Sequence, residues 1–305
     1  MLYDLALHMG YVYEIPASGA RHILRLLPLS LLNRQRLVAG SLTVSPAPDE
    51  QSHFVDFFEH PATAILLRAP HEKLDIRMQA RVQVERQSME ADFSPVLAKL
   101  PEEIAAVWSL DPASPHHFVG PSPRLGEVQQ IADYARALAT PQRTVLQIAA
   151  DICARIHRDF TYDPKATTVD TTPLEAFRLK RGVCQDFTHV MILALRSLGI
   201  PAGYVSGFLR TIPPPGKERL EGADAMHAWV RVWCGATVGW IELDPTNDIP
   251  AGTDHIVVGY GRDYSDVAPV IGVLRSYGSQ TTHQAVDVVP IKPGTPTHPA
   301  SPGIL

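Results

Sequence analysis

Three side chains in the second half of the chain have the types and the order of a nucleophilic catalytic site. Cys184 stands at the predicted start of a helix, His227 lies in a predicted strand, and Asp244 ends another predicted strand. A helix N-terminus carries partial positive charge and free N–H groups, which stabilise a thiolate and the oxyanion formed when it attacks a carbonyl. A histidine accepts the thiol proton, and an aspartate fixes the histidine tautomer. The pattern therefore predicts Cys184 as nucleophile, His227 as base and Asp244 as the orienting residue.

Each of the three residues also has a plainer interpretation. Cys184 could be a buried structural thiol, His227 a hydrogen-bonded sheet histidine, and Asp244 a turn residue before Pro245. Cys184 precedes the apolar stripe of its helix instead of lying on it, which favours the catalytic interpretation. The other two cysteines fall on predicted apolar positions and are interpreted as buried thiols.

An oxyanion hole needs a second donor besides the backbone N–H of Cys184. The sequence offers Tyr204, Trp229 and Gln185 as candidates for this donor or for the wall of the cleft, and Gln185 directly follows the nucleophile. Asp186 is interpreted as a first-turn residue that favours the helix dipole. The sequence alone does not choose among the candidate donors.

The elements that must position these residues are visible in the hydrophobic pattern. Apolar residues recur at helical spacing from Val183 to Leu198, and Gly199 and Pro201 end that helix. Residues 226–233 alternate, as expected for a strand. A capping box predicts a helix starting after Thr172, and Ser122 followed by proline predicts another helix start.

The chain as a whole reads as an α+β protein with two domains. Residues 1–88 resemble a series of strands and predict an antiparallel β-sandwich with its own core. Residues 89–121 are proline-rich and predict a linker with a short helix around 101–110. Residues 122–290 form the predicted catalytic core, in which the nucleophile helix packs on an antiparallel sheet. Residues 291–305 predict a disordered Pro-rich tail.

Composition restricts the functional classes. The 305 residues carry a net charge of −5, which disfavours nucleic-acid binding through a broad basic surface. No apolar run reaches the roughly 18 residues of a membrane-spanning helix. The first twelve residues lack a secretory signal pattern, and the three widely spaced cysteines form neither a disulfide framework nor a metal motif. We therefore expect a cytoplasmic protein that binds neither nucleic acid nor membrane.

Several short motifs follow one another in order around the three residues. They are Arg181-Gly182-Val183-Cys184-Gln185-Asp186-Phe187, Leu195-Arg196-Ser197-Leu198-Gly199-Ile200-Pro201-Ala202, Tyr204-Val205-Ser206-Gly207, His227-Ala228-Trp229-Val230, Leu243-Asp244-Pro245-Thr246-Asn247, and a slightly irregular Val258-Gly259-Tyr260-Gly261-Arg262-Asp263-Tyr264-Ser265-Asp266-Val267. Together these motifs resemble the bacterial type of the transglutaminase-like cysteine enzyme superfamily. The first 88 residues also resemble the β domain that precedes this core in bacterial members.

The resemblance implies a papain-like core and acyl transfer through a Cys184 thioester. It implies a protein or peptide substrate attacked at an amide, with water or an amine as the second acceptor, and neither a cofactor nor a metal. Two alternatives stay open: a non-enzymatic peptide-binding module on the same fold, and an acyltransferase that uses a coenzyme thioester. The flanking motifs resemble the transglutaminase group more closely than the coenzyme-dependent one.

Overall fold

Fourteen strands and seven α-helices make up the part of the chain that the computed structural model describes, namely residues 1–86, 91–211, 222 and 224–291. The strands are β1 (Leu2–Leu24), β2 (Gln35–Ser45), β3 (Glu50–Val55), β4 (Pro61–Leu67), β5 (His71–Val84), β6 (Thr161–Tyr162), β7 (Arg181–Gly182), β8 (Ala202–Leu209), β9 (Ala225–Trp233), β10 (Trp240–Asp244), β11 (Ile249–Pro250), β12 (His255–Gly261), β13 (Val270–Arg275) and β14 (Gln280–Pro290). The helices are α1 (Leu100–Ala105), α2 (Gln129–Arg136), α3 (Val145–Asp159), α4 (Pro173–Leu179), α5 (Cys184–Arg196), α6 (Gly235–Val238) and α7 (Tyr264–Val267).

The long strand β1 belongs to two groups of antiparallel strands at once. Its first half pairs with β5 and β14, and its second half pairs with β4 and β13. The strands β2 and β3 extend the two groups on β5 and β4. Tyr3, Leu5, Leu7 and Met9 are buried at alternate positions of β1, as expected for a strand with one face on a core. This confirms the predicted sheet-rich N-terminal region.

The first sheet also takes residues from the far end of the chain. The sequence placed residues 270–290 with the catalytic core, whereas β13 and β14 pair with β1. The core under β1 contains Phe208, Ile256 and Val258, which belong to the second sheet. The sheet at residues 1–88 is therefore completed by later segments and shares its core with them. Pairing between strands more than 200 residues apart has no local sequence signal, so the pattern of residues 1–88 did not reveal it.

The second sheet positions the candidate site. Its strands run in the order β11-β10-β9-β8-β12, and each neighbouring pair is antiparallel. Ala228, Val230 and Val232 of β9 share a core with the apolar side chains of α5. On the opposite face, Trp229 packs with Leu29 and other residues outside that core. A helix packed on an antiparallel sheet confirms the predicted α+β class.

Helix starts were predicted with mixed success. The hydroxyl oxygen of Thr172 accepts the backbone N–H of Glu175, so the capping box before α4 is confirmed. The predicted start at Ser122 is wrong, because Ser122 pairs with Leu125 in a tight turn and α2 begins at Gln129. Proline after serine suits a turn as well as a helix start, and the turn prevails here.

The segment between the two predicted domains is partly ordered by burial. α1 occupies Leu100–Ala105 and overlaps the first half of the predicted helical stretch 101–110, and both Leu100 and Phe118 are almost completely buried. At the far end, the backbone N–H of Ile291 donates to the Leu2 carbonyl at 2.8 Å. The rest of the predicted disordered tail, 292–305, lies outside the described residues. No described helix is both long enough and apolar enough to cross a bilayer.

Candidate active site

α5 begins at Cys184 because a buried carboxylate holds the turn in front of it. The Oδ2 atom of Asp186 accepts hydrogen bonds from the Val183 N–H at 2.8 Å and from the Thr167 hydroxyl at 2.7 Å. A Cβ at Gly182 would lie 2.3 Å from that oxygen, so glycine leaves the room that the carboxylate needs. The Cys184 side chain is half-buried, whereas the other two cysteines are buried. A partly accessible thiol therefore lies at the positive end of a helix.

His227 and Asp244 form a buried pair beside the thiol. The Nε2 atom of His227 lies 2.8 Å from Oδ2 of Asp244, which leaves Nδ1 as the ring nitrogen for Cys184. Burial by itself lowers the pKa of His227, but hydrogen bonds and charges from Asp244 and Cys184 raise that pKa to about 10. The imidazole is then protonated at neutral pH and supplies the positive charge that stabilises a thiolate. The structure thus brings the three predicted residues together.

The Asp244 carboxylate accepts five hydrogen bonds in a fully buried position. Its Oδ2 atom accepts from Nε2 of His227, from Nε2 of His255 at 3.2 Å and from the Asn247 amide at 2.7 Å. Its Oδ1 atom accepts from the backbone N–H groups of Thr246 at 2.9 Å and Asn247 at 3.3 Å. Burial raises the pKa of Asp244, but the bonds from the two histidines outweigh burial and hold the pKa well below its usual range. Asp244 is therefore a permanent anion that fixes the His227 ring.

His255 is a member of this cluster that sequence analysis missed. Its Nδ1 atom accepts the Gly252 N–H at 3.2 Å, so its proton lies on Nε2 and is donated to Asp244. β12, which begins at His255, is separated from β10 by two strands in the sheet, and no local pattern announces the contact. Asn247 is the last residue of the Leu243–Asn247 motif, and sequence analysis assigned it no function. Because it follows Asp244 by three residues, within one turn, its contact with the carboxylate could be expected from the sequence.

The cluster of His227, Asp244 and His255 could in principle hold a metal, since one ligand atom from each lies within 4.8 Å of the others. The 2.8 Å contact between His227 and Asp244 is a hydrogen-bond distance. Two ligands of a tetrahedral zinc ion, each bonded at 2.0–2.2 Å, stand about 3.4 Å apart. A metal would therefore have to separate the pair and displace the shared protons, so the arrangement fits a hydrogen-bond network better than a ligand set.

Tyr204 is the candidate oxyanion donor whose pKa responds to the charge of Cys184. It lies on β8, is buried, and its ring packs 5.2 Å from the ring of His189 on α5. Burial and, next, the charge of Cys184 raise the pKa of Tyr204 well above its usual value. The phenol therefore stays a hydrogen-bond donor throughout the pH range of an enzyme reaction. Burial also lowers the pKa of His189 to about 3, so the neighbouring ring is neutral.

The other two candidate donors are engaged elsewhere. The indole N–H of Trp229 donates to Glu242 at 2.6 Å, and the side chain is fully buried. Trp229 has no second N–H, so it cannot also donate to an oxyanion. Its ring instead stacks on His227, with centroids 6.0 Å apart. The Gln185 amide donates to the Val169 carbonyl at 3.0 Å and is mostly buried.

The assembled groups have the chemistry of acyl transfer. A thiol, an imidazole and a carboxylate arranged like Cys184, His227 and Asp244 can supply a nucleophile, move a proton and hold the imidazole. The first backbone N–H groups of α5 have no acceptor within the helix and are available to a developing oxyanion. This set matches the requirements for attack on an amide or ester carbonyl.

Two family profiles match the chain, one in each half. Residues 132–245 match the family described as the transglutaminase-like superfamily, and residues 3–83 match the family described as the bacterial transglutaminase-like N-terminal region. The first match contains the three predicted catalytic residues. The second covers most of strands β1–β5.

Related proteins share both halves. The chain is 36% identical over 272 residues to the uncharacterized protein Rv2569c of Mycobacterium tuberculosis, covering 85% of this chain and 83% of that protein. It is 34% identical over 285 residues to the uncharacterized protein ML0607 of Mycobacterium leprae, covering 92% and 95%. A crystal structure described as a candidate cysteine protease from Cytophaga hutchinsonii superposes with a TM-score of 0.73 at 20% identity, covering 98% of this chain and 93% of that one. This last likeness concerns the fold.

Proposed function

Because the chain belongs to the transglutaminase-like superfamily, with the bacterial N-terminal region in front of the core, we propose that it is a thiol enzyme that acts on amides. Cys184 forms a thioester with the acyl group of a protein or peptide substrate, either at a glutamine side chain or at a peptide bond. Water or a primary amine then releases the acyl group.

One observation carries the proposal. A half-buried thiol at the start of α5 adjoins a buried histidine whose pKa is raised to about 10 by Asp244 and the thiol itself. A structural cysteine has no need of a charged imidazole, and burying an imidazolium is costly unless it is paired. The hydrogen bond from His227 to Asp244 supplies that pairing, and four further hydrogen bonds hold the Asp244 carboxylate in place.

The first half of the reaction follows from these groups. His227 Nδ1 takes the thiol proton as the Cys184 sulfur attacks the amide carbonyl and forms a carbon–sulfur bond. The carbonyl oxygen becomes an oxyanion, which accepts from the backbone N–H of Cys184 and from the Tyr204 hydroxyl. When the carbon–nitrogen bond breaks, His227 gives its proton to the leaving amine or ammonia, and a thioester remains.

The second half regenerates the enzyme. Neutral His227 takes a proton from water or from a primary amine as its oxygen or nitrogen attacks the thioester. The sulfur leaves as a thiolate beside the imidazolium, which Asp244 stabilises throughout. Hydrolysis gives a carboxylic acid, and transfer to an amine gives a new amide.

Alkylation by iodoacetamide tests the nucleophile directly, because the protein contains matched internal controls. We expect Cys184 to be labelled rapidly at pH 6, well before Cys153 and Cys234. Burial raises the pKa of Cys153 above its usual range and that of Cys234 to about 12. Peptide mass spectrometry separates the three sites in one sample. Replacing His227 by alanine should slow labelling of Cys184 at pH 6 by tenfold or more.

Labelling of Cys184 no faster than that of a free cysteine, and insensitive to His227→Ala, would contradict the proposal. Full peptide binding by Cys184→Ala, with no turnover by the wild type, would instead support a peptide-binding module. Turnover that needs a coenzyme thioester would support the coenzyme-dependent acyltransferase.

The choice of acceptor needs a second assay. Casein with a fluorescent primary amine reports transamidation, and ammonia release without the amine reports glutamine hydrolysis. A panel of labelled peptides reports cleavage of the main chain. Acid quenching during turnover should trap an acyl adduct on Cys184, and Cys184→Ala, with no sulfur, should show none.

A further inference from the structure

Arg231 is a buried cation that lacks the partners a buried guanidinium normally has. It lies on β9 with 4% of its surface exposed, and among the residues that the structure describes its Nε and Nη2 atoms have no hydrogen-bond partner. Its guanidinium carbon lies 4.4 Å from the ring centroids of Phe118 and Tyr260 and 4.5 Å from that of Trp240. The aromatic rings stabilise the charge but accept no conventional hydrogen bond.

The carboxylate opposite Arg231 already accepts hydrogen bonds from other side chains. Glu242 stands directly opposite Arg231 in the pairing of β9 with β10. Both oxygens of Glu242 are held by the Arg34 guanidinium, and each accepts one more bond, from Trp229 at 2.6 Å and from Tyr260 at 2.8 Å. Glu242 therefore balances Arg34, and no carboxylate of the described residues forms an ion pair with Arg231. Burial lowers the pKa of Arg231 to about 10, which still leaves it charged at neutral pH.

A cavity of about 260 Å³ opens beside this cation. Arg231, Arg34 and Tyr260 form part of its lining, and Leu29, Phe58 and Trp240 give it apolar walls. The cavity lies between the loop that follows β1 and the face of the second sheet. It is smaller than the 300–1,000 Å³ of most drug-sized sites, so it suits a small molecule.

We propose that this cavity binds a small organic monocarboxylate, with the carboxylate on Arg231 and an apolar group against Phe58 and Trp240. Because Arg231 is a single cation without an ion-pair partner, a ligand with one negative charge suits it best. Glu59 also lines the cavity and, with Glu242, disfavours a multiply charged anion such as phosphate. A planar carboxylate matches the planar guanidinium.

The proposed site is separate from the candidate active site. Arg231 is four residues beyond His227 on β9, or about 13 Å along the strand. Its ligand would contact neither the thiol nor the Asp244 cluster, so failure of the catalytic proposal would leave this one standing.

Titration of the full-length protein with benzoate tests the proposal. The indole N–H signals of the four tryptophans report the binding position. We expect a saturable shift of the Trp240 signal, whose N–H donates to the Ala113 carbonyl at the cavity wall, and no shift for Trp108, which is 95% exposed. Benzamide, the neutral analogue, should bind at least tenfold more weakly. Inorganic phosphate should also bind more weakly than benzoate.

Two arginine variants provide a matched comparison. Arg231→Met should weaken benzoate binding at least tenfold, because a charge-assisted hydrogen bond is lost. Arg155→Met removes a guanidinium that also lies over an aromatic ring, 4.1 Å from the Tyr134 centroid, but that has its own partner in Asp159. Binding by Arg155→Met should equal that of the wild type.

A third variant keeps the test decisive if Arg231→Met does not fold. Ala113→Leu fills the cavity from its rim, leaves Arg231 in place, and should also weaken benzoate binding at least tenfold. The proposal is overturned by a wild type that shows no saturation, by equal binding of benzamide, by tighter binding of phosphate, or by unchanged affinity in folded Arg231→Met or Ala113→Leu.

Discussion

The five hydrogen bonds on Asp244 allow a quantitative prediction for the isosteric change Asp244→Asn. In asparagine one carboxylate oxygen becomes an amino group, which donates instead of accepting. If the amino group replaces Oδ1, the backbone N–H groups of Thr246 and Asn247 lose their acceptor. If it replaces Oδ2, the three donors on that side lose theirs, including His227. At least two donors therefore lose their acceptor in either orientation, and in the second orientation the two histidine donors are buried.

Each unpaired donor costs about 1–3 kcal/mol, so Asp244→Asn should lower the free energy of unfolding by about 2–6 kcal/mol. Urea unfolding followed by tryptophan fluorescence measures this loss. Asp248→Asn is the matched control, because Asp248 is exposed in the same turn and has a positive φ that asparagine tolerates. Its effect should stay within about 0.5 kcal/mol.

The same variant should also change the reactivity of the thiol. Loss of the anion removes the main support for protonated His227, so alkylation of Cys184 at pH 6 should slow together with the loss of stability. An Asp244→Asn protein that is as stable as the wild type and reacts at the same rate would refute the reasoning about this carboxylate.

Three further predictions concern stability. Because the pKa of His227 is raised, the paired imidazolium stabilises the fold fully below pH 6.5 and no longer does so once the pH has risen through about 10. The difference in free energy of unfolding between wild type and His227→Ala, measured with urea, should therefore shrink between pH 6.5 and 10. Arg34→Met removes the ion-pair partner of the buried Glu242 carboxylate but leaves Arg231 opposite it, and should cost about 1.5–3 kcal/mol in the same assay. Gly207→Ala places a Cβ 2.1 Å from a backbone oxygen and 2.5 Å from the Trp229 ring, and should cost about 1–3 kcal/mol or more in thermal unfolding.

Each of these predictions has a control or a contradicting result. A difference in free energy of unfolding between wild type and His227→Ala that stays constant or grows with pH would contradict the assignment of charge to His227. An Arg34→Met protein as stable as the wild type would count against the ion pair between Arg34 and Glu242. Gly120→Ala, where a Cβ meets nothing within 4 Å, should leave the melting temperature nearly unchanged.

The sequence revealed most of what is local and periodic. The apolar stripe after Cys184 predicted α5, and the alternation around His227 predicted β9, because both patterns repeat within a few residues. The capping box predicted the start of α4 for the same reason. The roles of Cys184, His227 and Asp244 rest on their order and types, and they stay proposals that the geometry supports.

What the sequence did not reveal depends on contacts between distant segments. His255 contacts Asp244 because the fold brings the start of β12 to the end of β10, and the spacing of the two residues does not predict that. Trp229 was a candidate oxyanion donor until the structure placed its N–H on Glu242. The sequence around Arg231 does not indicate that this residue is unpaired, because its unpaired state results from the contact of Arg34 with Glu242.

The pairing of β14 with β1 has a consequence for how the chain folds during synthesis. The two strands join along eleven successive residue pairs, from Tyr3 with Pro290 to Tyr13 with Gln280. A ribosome adding roughly 5–20 residues per second makes the later strand about 15–50 s after the earlier one. For that interval the first half of β1 lacks one of its neighbours, and an unpaired strand edge can pair with another nascent chain. Weaker induction leaves fewer nascent chains with an open edge at any one time, so it should reduce aggregation and raise the soluble yield.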